Sequence, residues 1–260
     1  IYIDKENWNF LFNQYIPIMT FENTLQNLNI KVYLDGADLG SIKEYSSMNV
    51  IHGFTSNPSL MSQSNISNYE DFILNTLGLI NNKPISFEVV EDENTLIVEQ
   101  AKRISSFAKN IYVKIPIVNT KGESCIPAIK ELSELGIPLN ITAILDKDQA
   151  LEVIREIPSP KAEIILSIFA GRIADTGIDP KGVFKEVINA KKNIDNYKTL
   201  WASPREIYNL YEADEVGADI ITITPQILSK VKLYKKDLIE YSVETVQMFY
   251  NDAQKNKLDI

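Results

Sequence analysis

The sequence has 260 residues, of which 45% are hydrophobic and 23% are charged, as in ordinary globular proteins. Its 26 basic and 35 acidic residues leave a net charge of −9, which disfavours nucleic acid as a partner because nucleic-acid-binding proteins need basic surfaces. The single cysteine, Cys125, and the single histidine, His52, exclude disulfide frameworks, Cys-pair zinc sites and His-rich metal sites. A Ser-His triad would have to use His52. We therefore expect the chemistry to rest on lysine, carboxylate and hydroxyl groups.

No apolar run reaches the ~18 residues that a membrane-spanning helix needs. The first residues also lack the basic stretch and apolar stretch of a secretory signal. We therefore expect a cytoplasmic protein with no membrane partner.

Along the chain, residues 1–30 predict a helical N-terminal extension. Its patchy apolar face consists of Trp8, Phe10, Leu11, Tyr15, Ile16 and Ile18. From residue 31 onward, short β-branched runs alternate with segments in which apolar residues recur every three or four positions. The runs are Lys31–Asp35, Asn49–Gly53, Pro84–Val90, Ile111–Ile117, Pro138–Ile144, Ala162–Phe169, Lys198–Ala202 and Ala218–Ile223.

Eight strand-then-helix units at this length predict an α/β protein with the (β/α)8 TIM-barrel architecture. An open doubly wound sheet is the alternative, although it usually has fewer strands and a glycine-rich first turn. No linker interrupts the chain, so residues 1–260 are interpreted as one barrel domain. Residues 234–256 predict a long amphipathic C-terminal helix that could cover the barrel or pack on a neighbouring subunit.

In such a barrel the functional residues lie at the carboxyl ends of the strands and in the loops that follow. The most informative is Lys114 in the fourth run, because lysine is rarely buried unless it is paired. Strand parity places Lys114 on the face opposite Val113 and Ile115, so it points into the barrel if those two meet the helices. A desolvated amine can attack a carbonyl group. Snorkelling to solvent and a core salt bridge to Glu88 are the structural alternatives.

The other strand ends are also polar. Asp35 and Glu88 are candidate general acids or bases, although Asp35 could belong to a capping turn and Glu88 could simply neutralise Lys114. Asn57 before Pro58 equally fits a helix N-cap. The pair of residues on one face of the fifth run, Asn140 and Thr142, could simply hydrogen-bond within a barrel layer.

The segment that follows the seventh run, Ser203-Pro204-Arg205-Glu206, predicts a capping box that starts a helix directly after the strand. Helix N-termini after the late strands of a barrel often bind phosphate. Arg205, together with Arg172 after the sixth run, would complete an anion site. An exposed cap with two surface arginines is the alternative.

Taken together, these residues resemble the transaldolase family, including its fructose-6-phosphate aldolase-like branch of short chains. The matching stretches lie in family order on seven of the eight predicted strands, between residues 33 and 205. They are Tyr-Leu-Asp35-Gly-Ala-Asp, Thr55-Ser-Asn57-Pro-Ser, Phe87-Glu88-Val, Val113-Lys114-Ile-Pro, Asn140-Ile-Thr142, Ser167-Ile-Phe169-Ala-Gly-Arg172-Ile and Ala202-Ser203-Pro-Arg205.

The resemblance implies a Schiff-base enzyme without metal or organic cofactor that acts on sugar phosphates. It assigns catalysis to Lys114, Asp35, Glu88 and Thr142. It assigns substrate binding to Asn57, Asn140, Ser167, Phe169, Arg172, Ser203 and Arg205. It also implies a homo-oligomer of five or ten subunits.

Within the family, Glu88 and Phe169 stand where aldolase-type members tend to have Gln and Tyr, which favours transfer of a dihydroxyacetone unit over its release. Gly36 and Leu145-Asp146 depart from the usual residues near the acceptor side. A paralogue that acts on a modified sugar phosphate is therefore a further alternative.

Overall fold

The computed structural model describes residues 22–257. The predicted N-terminal extension lies outside the described residues up to position 21, and residues 22–26 are helical. Eight parallel strands follow one another around a closed barrel, in which β8 pairs with β1. The strands are β1 (Lys31–Asp35), β2 (Ile51–Thr55), β3 (Ile85–Glu88), β4 (Ile111–Pro116), β5 (Leu139–Ile144), β6 (Ile164–Ile168), β7 (Tyr197–Trp201) and β8 (Ile220–Ile223).

Helices alternate with these strands, which confirms the (β/α)8 barrel predicted from the sequence. They are α1 (Leu39–Ser46), α2 (Pro58–Gln63), α3 (Tyr69–Leu77), α4 (Asn94–Ser105), α5 (Ile126–Glu134), α6 (Lys147–Glu156), α7 (Ala170–Asp175), α8 (Lys181–Lys191), α9 (Asn209–Val216), α10 (Pro225–Leu228) and α11 (Leu238–Lys255), with a 3₁₀ turn at Ser229–Leu233.

Strands in the barrel are buried on both faces, which explains why they read as near-continuous apolar runs. One large apolar cluster fills the space between the barrel and the helices and includes Val113 and Ile115. A smaller cluster fills the barrel interior and consists of Tyr33, Ile165, Leu200, Ala202 and Ile220. Because Val113 and Ile115 face outward, the same parity turns Lys114 inward, as the sequence predicted.

The lone histidine has a structural contact in the strand register. The pairing of β1 with β2 shifts between Val32 and Tyr33, and at this irregularity the Val32 backbone N–H donates to His52 Nδ1 over 3.3 Å. Burial and the nearby Lys31 and Lys83 charges lower the pKa of His52. The imidazole therefore acts as a neutral acceptor for a backbone group that the irregularity frees.

The predicted start of the C-terminal helix is wrong by four residues. Residues 229–233 form a separate 3₁₀ turn, and Lys235 has a φ of 55°, which interrupts the helical path. The helix begins at Leu238 because the Asp237 side chain accepts hydrogen bonds from the backbone N–H groups of Ile239 and Glu240.

Helix α11 buries none of its residues in the part of the chain that the structure describes. Its exposed apolar side chains include Leu238, Ile239, Val246, Phe249 and Tyr250. The barrel-covering alternative for this helix is therefore not observed. Over residues 22–257, no helix combines the length and apolar character needed to cross a membrane.

Candidate active site

A buried ion pair lies where β3 and β4 end. Register pairs Glu88 with Lys114 across the two strands, and Lys114 Nζ lies 3.0 Å from Glu88 Oε2, with side-chain exposures of 8% and 16%. The ammonium also donates to the Ser56 carbonyl oxygen over 3.3 Å. A buried ammonium has to be paired and hydrogen-bonded to be tolerated. The snorkelling alternative for Lys114 is therefore wrong, and the predicted pairing with Glu88 is confirmed.

Asp35 is the second carboxylate at this end of the barrel. Its Oδ1 accepts a 2.7 Å hydrogen bond from Thr55 Oγ1. Burial raises the pKa of Asp35 above its usual range, against the opposing influence of the Lys114 charge and the Thr55 hydroxyl. Asp38 rather than Asp35 caps α1, by accepting from Ser41 N–H. The structure thus leaves the Asp35 carboxylate available for proton transfer.

Thr55 in turn contacts Thr222, whose hydroxyl lies within hydrogen-bond distance of Thr55 Oγ1. Both threonines are buried, and both border the same cavity as Asp35. Sequence reasoning missed Thr222, because β8 was the one predicted strand without a matching motif. The available signal was a lone hydroxyl in the apolar strand Ile220–Ile223.

A second hydroxyl–amide chain crosses the barrel beside Lys114. Asn140 Nδ2 donates to Ser86 Oγ over 2.9 Å, and Ser167 Oγ donates to Asn140 Oδ1 over 2.6 Å. All three side chains are buried. These hydrogen bonds fix the orientation of the Asn140 amide. Ser86 was not predicted from the sequence. Its position two residues before Glu88, and therefore on the same face of β3, was the signal that could have found it.

Some buried polar groups at this end have no partner. Thr142 Oγ1 and Ser56 Oγ are buried without a hydrogen bond within residues 22–257. Next to Thr142, Ala143 has a φ of 59°, and the pairing of β5 with β6 is irregular between Ile141 and Ile144. Non-glycine residues in this region are strained, and such strain clusters at functional sites. A ligand that satisfied the Thr142 hydroxyl would remove an unfavourable feature of the unliganded chain.

Asp35, Glu88, Lys114 and Thr142 border one cavity of about 460 Å³ at the carboxyl ends of the strands, which we call the mouth cavity. Every predicted site residue except Arg205 borders this cavity. Its lining is Asp35, Thr55, Asn57, Pro58, Ser59, Leu60, Glu88, Lys114, Asn140, Thr142, Ala143, Ser167, Phe169, Arg172, Ala202, Ser203 and Thr222.

Asn57 both caps a helix and borders the mouth cavity. Its Oδ1 accepts from Leu60 N–H over 3.0 Å and so caps α2. The same side chain borders the cavity, where its Nδ2 hydrogens can serve a ligand. Both alternatives from the sequence, helix cap and cavity residue, therefore hold for Asn57.

The predicted capping box after β7 is wrong. Helix α9 begins at Asn209. Ser203 has a φ of 59°, whereas an N-cap residue needs an extended backbone. The Asn209 Oδ1 instead accepts hydrogen bonds from Arg205 N–H and Glu206 N–H. The loop between β7 and α9 is therefore held by the side-chain amide of Asn209, the first residue of α9.

A close backbone approach fixes Ser203 against α7. A Cβ atom on Gly171 would lie 1.7 Å from the Ser203 carbonyl oxygen, so only glycine fits at position 171. The next residue, Arg172, borders the mouth cavity and lies 5.8 Å from the centre of the Phe169 ring. This cation–π contact places a positive charge at the cavity edge.

Arg205 lies outside the cavity lining and is half exposed. Its guanidinium forms a two-point ion pair with Asp175 at the end of α7. Hydrogen bonds from the Arg205 side chain lower the pKa of the Asp175 carboxyl group. Arg172 and Ser203 therefore border the cavity, whereas Arg205 lies outside its lining and is paired with Asp175.

The single cysteine does not border the mouth cavity. Cys125 is buried at the start of α5, and burial raises its thiol pKa to about 11. A thiol of that kind is unreactive because the nucleophilic form is the thiolate.

Comparison with known proteins identifies relatives of this chain. Residues 32–260 match the sequence model of the family described as Transaldolase/Fructose-6-phosphate aldolase. A "Probable transaldolase" from Nitrosopumilus maritimus is 33% identical over 204 residues, which cover 78% of this chain and 87% of that protein. A "Probable transaldolase" from Caldicellulosiruptor saccharolyticus is 31% identical over 230 residues, which cover 87% of this chain and 98% of that protein.

Solved structures resemble the chain in fold alone. The orotidine 5'-monophosphate decarboxylase of Sulfolobus solfataricus superposes with a TM-score of 0.50 and 15% identity, covering 82% of this chain and 99% of that one. Such a likeness supports the barrel and carries no information about the reaction.

Proposed function

The chain belongs to the transaldolase/fructose-6-phosphate aldolase family, and from this premise we propose that it is a transaldolase that transfers a dihydroxyacetone unit between sugar phosphates through a Schiff base on Lys114. The donor is a ketose phosphate, fructose 6-phosphate or sedoheptulose 7-phosphate, and the acceptor is an aldose phosphate. The observation that carries the proposal is the buried Lys114–Glu88 pair at the mouth cavity. A buried lysine beside a carboxylate suits the attack of an amine on a ketone.

In the first step the Lys114 amine attacks the C2 carbonyl carbon of the ketose. Glu88, 3.0 Å away, passes two protons in turn from the Lys114 nitrogen to the ketone oxygen, which leaves as water, and the nitrogen keeps its third proton in the protonated imine. The Thr142 hydroxyl, which has no partner within residues 22–257, holds this water. Thr142 and Glu88 serve again when the imine is hydrolysed.

In the second step Asp35 removes the proton of the C4 hydroxyl. The C3–C4 bond breaks, its electron pair moves to the imine nitrogen, and an aldose phosphate leaves. A dihydroxyacetone enamine stays on Lys114 and attacks the carbonyl carbon of the acceptor aldose. The raised pKa of Asp35 suits this base, because a proton acceptor works best when its pKa approaches the working pH.

The polar groups around the cavity bind the substrate. Asn57, Asn140 and Ser167 hold the hydroxyls of the three-carbon fragment. Arg172 and Ser203 bind the phosphate, and Arg205 joins them by exchanging its Asp175 contact for phosphate oxygens. Arginine suits both partners because its fork matches carboxylate and phosphate geometry.

Two observations support transfer over release. Glu88 is a carboxylate that is ion-paired to Lys114, and Phe169 borders the cavity with a ring that carries no hydroxyl. Within residues 22–257, no tyrosine borders the cavity to direct water to the enamine, and the enamine therefore waits for an aldehyde. A fructose-6-phosphate aldolase-type reaction that frees dihydroxyacetone is the alternative within the family. A paralogue specific for a modified sugar phosphate is the other.

We also propose that the enzyme works in the cytoplasm as part of the pentose phosphate pathway and that it forms a homo-oligomer of five or ten subunits. The uncovered apolar side chains of α11 support an assembly of copies. Light scattering on a sizing column measures the mass directly, and a monomer at micromolar concentration would contradict the assembly.

The test of the proposed reaction is reduction with borohydride in the presence of fructose 6-phosphate, followed by intact mass and peptide mapping. We expect an adduct on Lys114 and its loss in Lys114→Met. Parallel assays with and without an aldose phosphate acceptor distinguish the two family reactions. Release of free dihydroxyacetone without an acceptor, at a rate equal to transfer, would favour the aldolase.

A further inference from the structure

The Asp35 carboxylate is the first member of a chain of side chains that spans three strands. Thr55 on β2 donates to Asp35 Oδ1 over 2.7 Å, and Thr222 on β8 contacts Thr55 Oγ1 from the other side. Strands β2 and β8 both pair with β1, which carries Asp35 at its end. We propose that Thr222 and Thr55 form a two-hydroxyl relay that orients Asp35 and prepares it as the base for carbon–carbon cleavage, with Thr222 as a positioning residue.

The direction of the relay follows from counting protons. An ionised carboxylate can only accept, so the single proton of Thr55 points to Asp35. The Thr55 oxygen then has lone pairs free, and Thr222 must donate to it. Each hydroxyl polarises the next, so two donors in series bind the carboxylate more strongly than one. Oδ1 is thereby occupied, and Oδ2 is the oxygen that meets the C4 hydroxyl of the substrate.

The relay also sets the proton affinity of Asp35. The charged groups that influence Asp35 are Lys114 from β4 and Glu88 from β3, and Arg172 borders the same cavity from α7. Strands β2 and β8 contribute the two uncharged hydroxyls. Burial raises the pKa of Asp35, whereas Lys114 and the Thr55 hydrogen bond lower it. Without the relay, the carboxylate would hold its proton to a higher pH.

This inference rests on the proposed function, and its test separates the two. Imine formation at C2 uses Lys114 and Glu88, whereas cleavage between C3 and C4 uses Asp35. Borohydride reduction with fructose 6-phosphate therefore yields two adducts of different mass: a six-carbon phosphorylated adduct before cleavage and a three-carbon adduct after it. Their ratio measures the cleavage step, and their sum measures imine formation.

We expect Thr222→Val to lower kcat about 10-fold and Thr55→Val by about 10- to 100-fold. The total adduct should be unchanged, with its six-carbon share increased. The acid limb of the kcat profile should move to higher pH, because the carboxylate loses donors that favour its ionised form. Thr222→Ser should restore both the ratio and the profile.

The matched control is Thr76→Val, because Thr76 Oγ1 is also buried but has no partner within residues 22–257 and lies on α3. Thr222→Val with the adduct ratio and pH profile of Thr76→Val would overturn the relay. So would a Thr222→Val loss that is equal at all pH values and is not rescued by Ser. Absence of any adduct on the wild-type chain would instead overturn the proposed function, and the relay with it.

Discussion

Near the amino end of the barrel, Asp219 accepts from Thr199 N–H at 2.7 Å, from Thr199 Oγ1 at 2.9 Å and from Lys191 Nζ at 2.9 Å. At the carboxyl end, Thr142 Oγ1 and Ser56 Oγ are buried with no partner within residues 22–257. Both groups belong to one barrel, yet three donors satisfy the Asp219 carboxylate, whereas the two hydroxyls at the carboxyl end are left open. Satisfied groups stabilise the fold, whereas open ones lower stability unless a ligand completes them.

Backbone strain is also present at the carboxyl end. Ala143 and Ser203 have positive φ values and both border the mouth cavity. The cavity also contains an ion pair and a carboxylate whose pKa burial has raised. We therefore expect the carboxyl end to carry binding and reaction at a cost in stability, and we expect mutations at the two ends to separate activity from stability.

The largest effect is expected for Lys114→Met. Loss of the nucleophile should lower turnover by about 10⁴-fold or more. Because Glu88 loses its partner, the free energy of unfolding should also fall, by about 3–5 kcal/mol. The double variant with Glu88→Gln should recover much of that stability and none of the activity. Urea unfolding measures the stability and donor cleavage assays measure the activity. An active Lys114→Met variant would contradict the role of Lys114.

Asp35→Asn should lower kcat by about 10²- to 10⁴-fold. The folded-state pKa of Asp35 lies above the unfolded value of about 3.9, so the ionised carboxylate destabilises the fold as pH rises through the window between them. Asp35→Asn should therefore be more stable than the wild type at neutral pH, with the difference vanishing near pH 4 and below. Thermal unfolding at several pH values measures this. A variant less stable at neutral pH would break the proposed contrast between the two ends.

Arg205→Ala should raise KM for a phosphorylated donor by about 10- to 100-fold, the value of a lost charge-assisted hydrogen bond. Unphosphorylated sugars should be affected little. The matched control is Arg103→Ala, because Arg103 is also an exposed arginine in an ion pair, with Glu70. Equal losses for phosphorylated and free sugars would remove Arg205 from the phosphate site.

The smallest effect on activity is expected for Asp219→Asn, at the amino end. Burial alone would raise the pKa of Asp219, but hydrogen bonds from Thr199 and the Lys191 charge outweigh it and hold the pKa below its usual value. Asp219 therefore contributes stability above pH 4 that is lost as pH falls through its folded-state pKa. The variant should lose about 1–3 kcal/mol at pH 7 and keep its kcat. A changed kcat would show that the two ends are coupled.

Much of the fold follows from the sequence because its strands carry a local signal. The bounds of β1 match the prediction at both ends, and the parity around Lys114 correctly places it inside the barrel. Strand β2 lies two residues later than predicted, because Ile51 N–H first closes a turn onto the Met48 carbonyl oxygen. A boundary of that kind depends on one backbone hydrogen bond that composition does not reveal.

The parts of the site that sequence reasoning missed depend on contacts between distant segments. Thr222 meets Thr55 across 167 positions of the chain, and Arg205 meets Asp175 across 30. The capping-box interpretation of Ser203 failed because Gly171, on another element, admits the Ser203 carbonyl oxygen at a separation that no side chain would allow. Local patterns predict which residues are polar, whereas closure of the barrel decides which of them touch.

The cap on α2 limits how this enzyme can diverge. Asn57 gives its oxygen to the backbone of α2 and retains its amide hydrogens for the cavity. Aspartate or serine at this position would keep a cap and lose the amide donors, whereas glutamine or lysine would keep a donor and lose the short acceptor. Selection for a new substrate therefore has little freedom at position 57. Variation in specificity is expected to accumulate at cavity positions without a second structural role, such as the exposed Ser59.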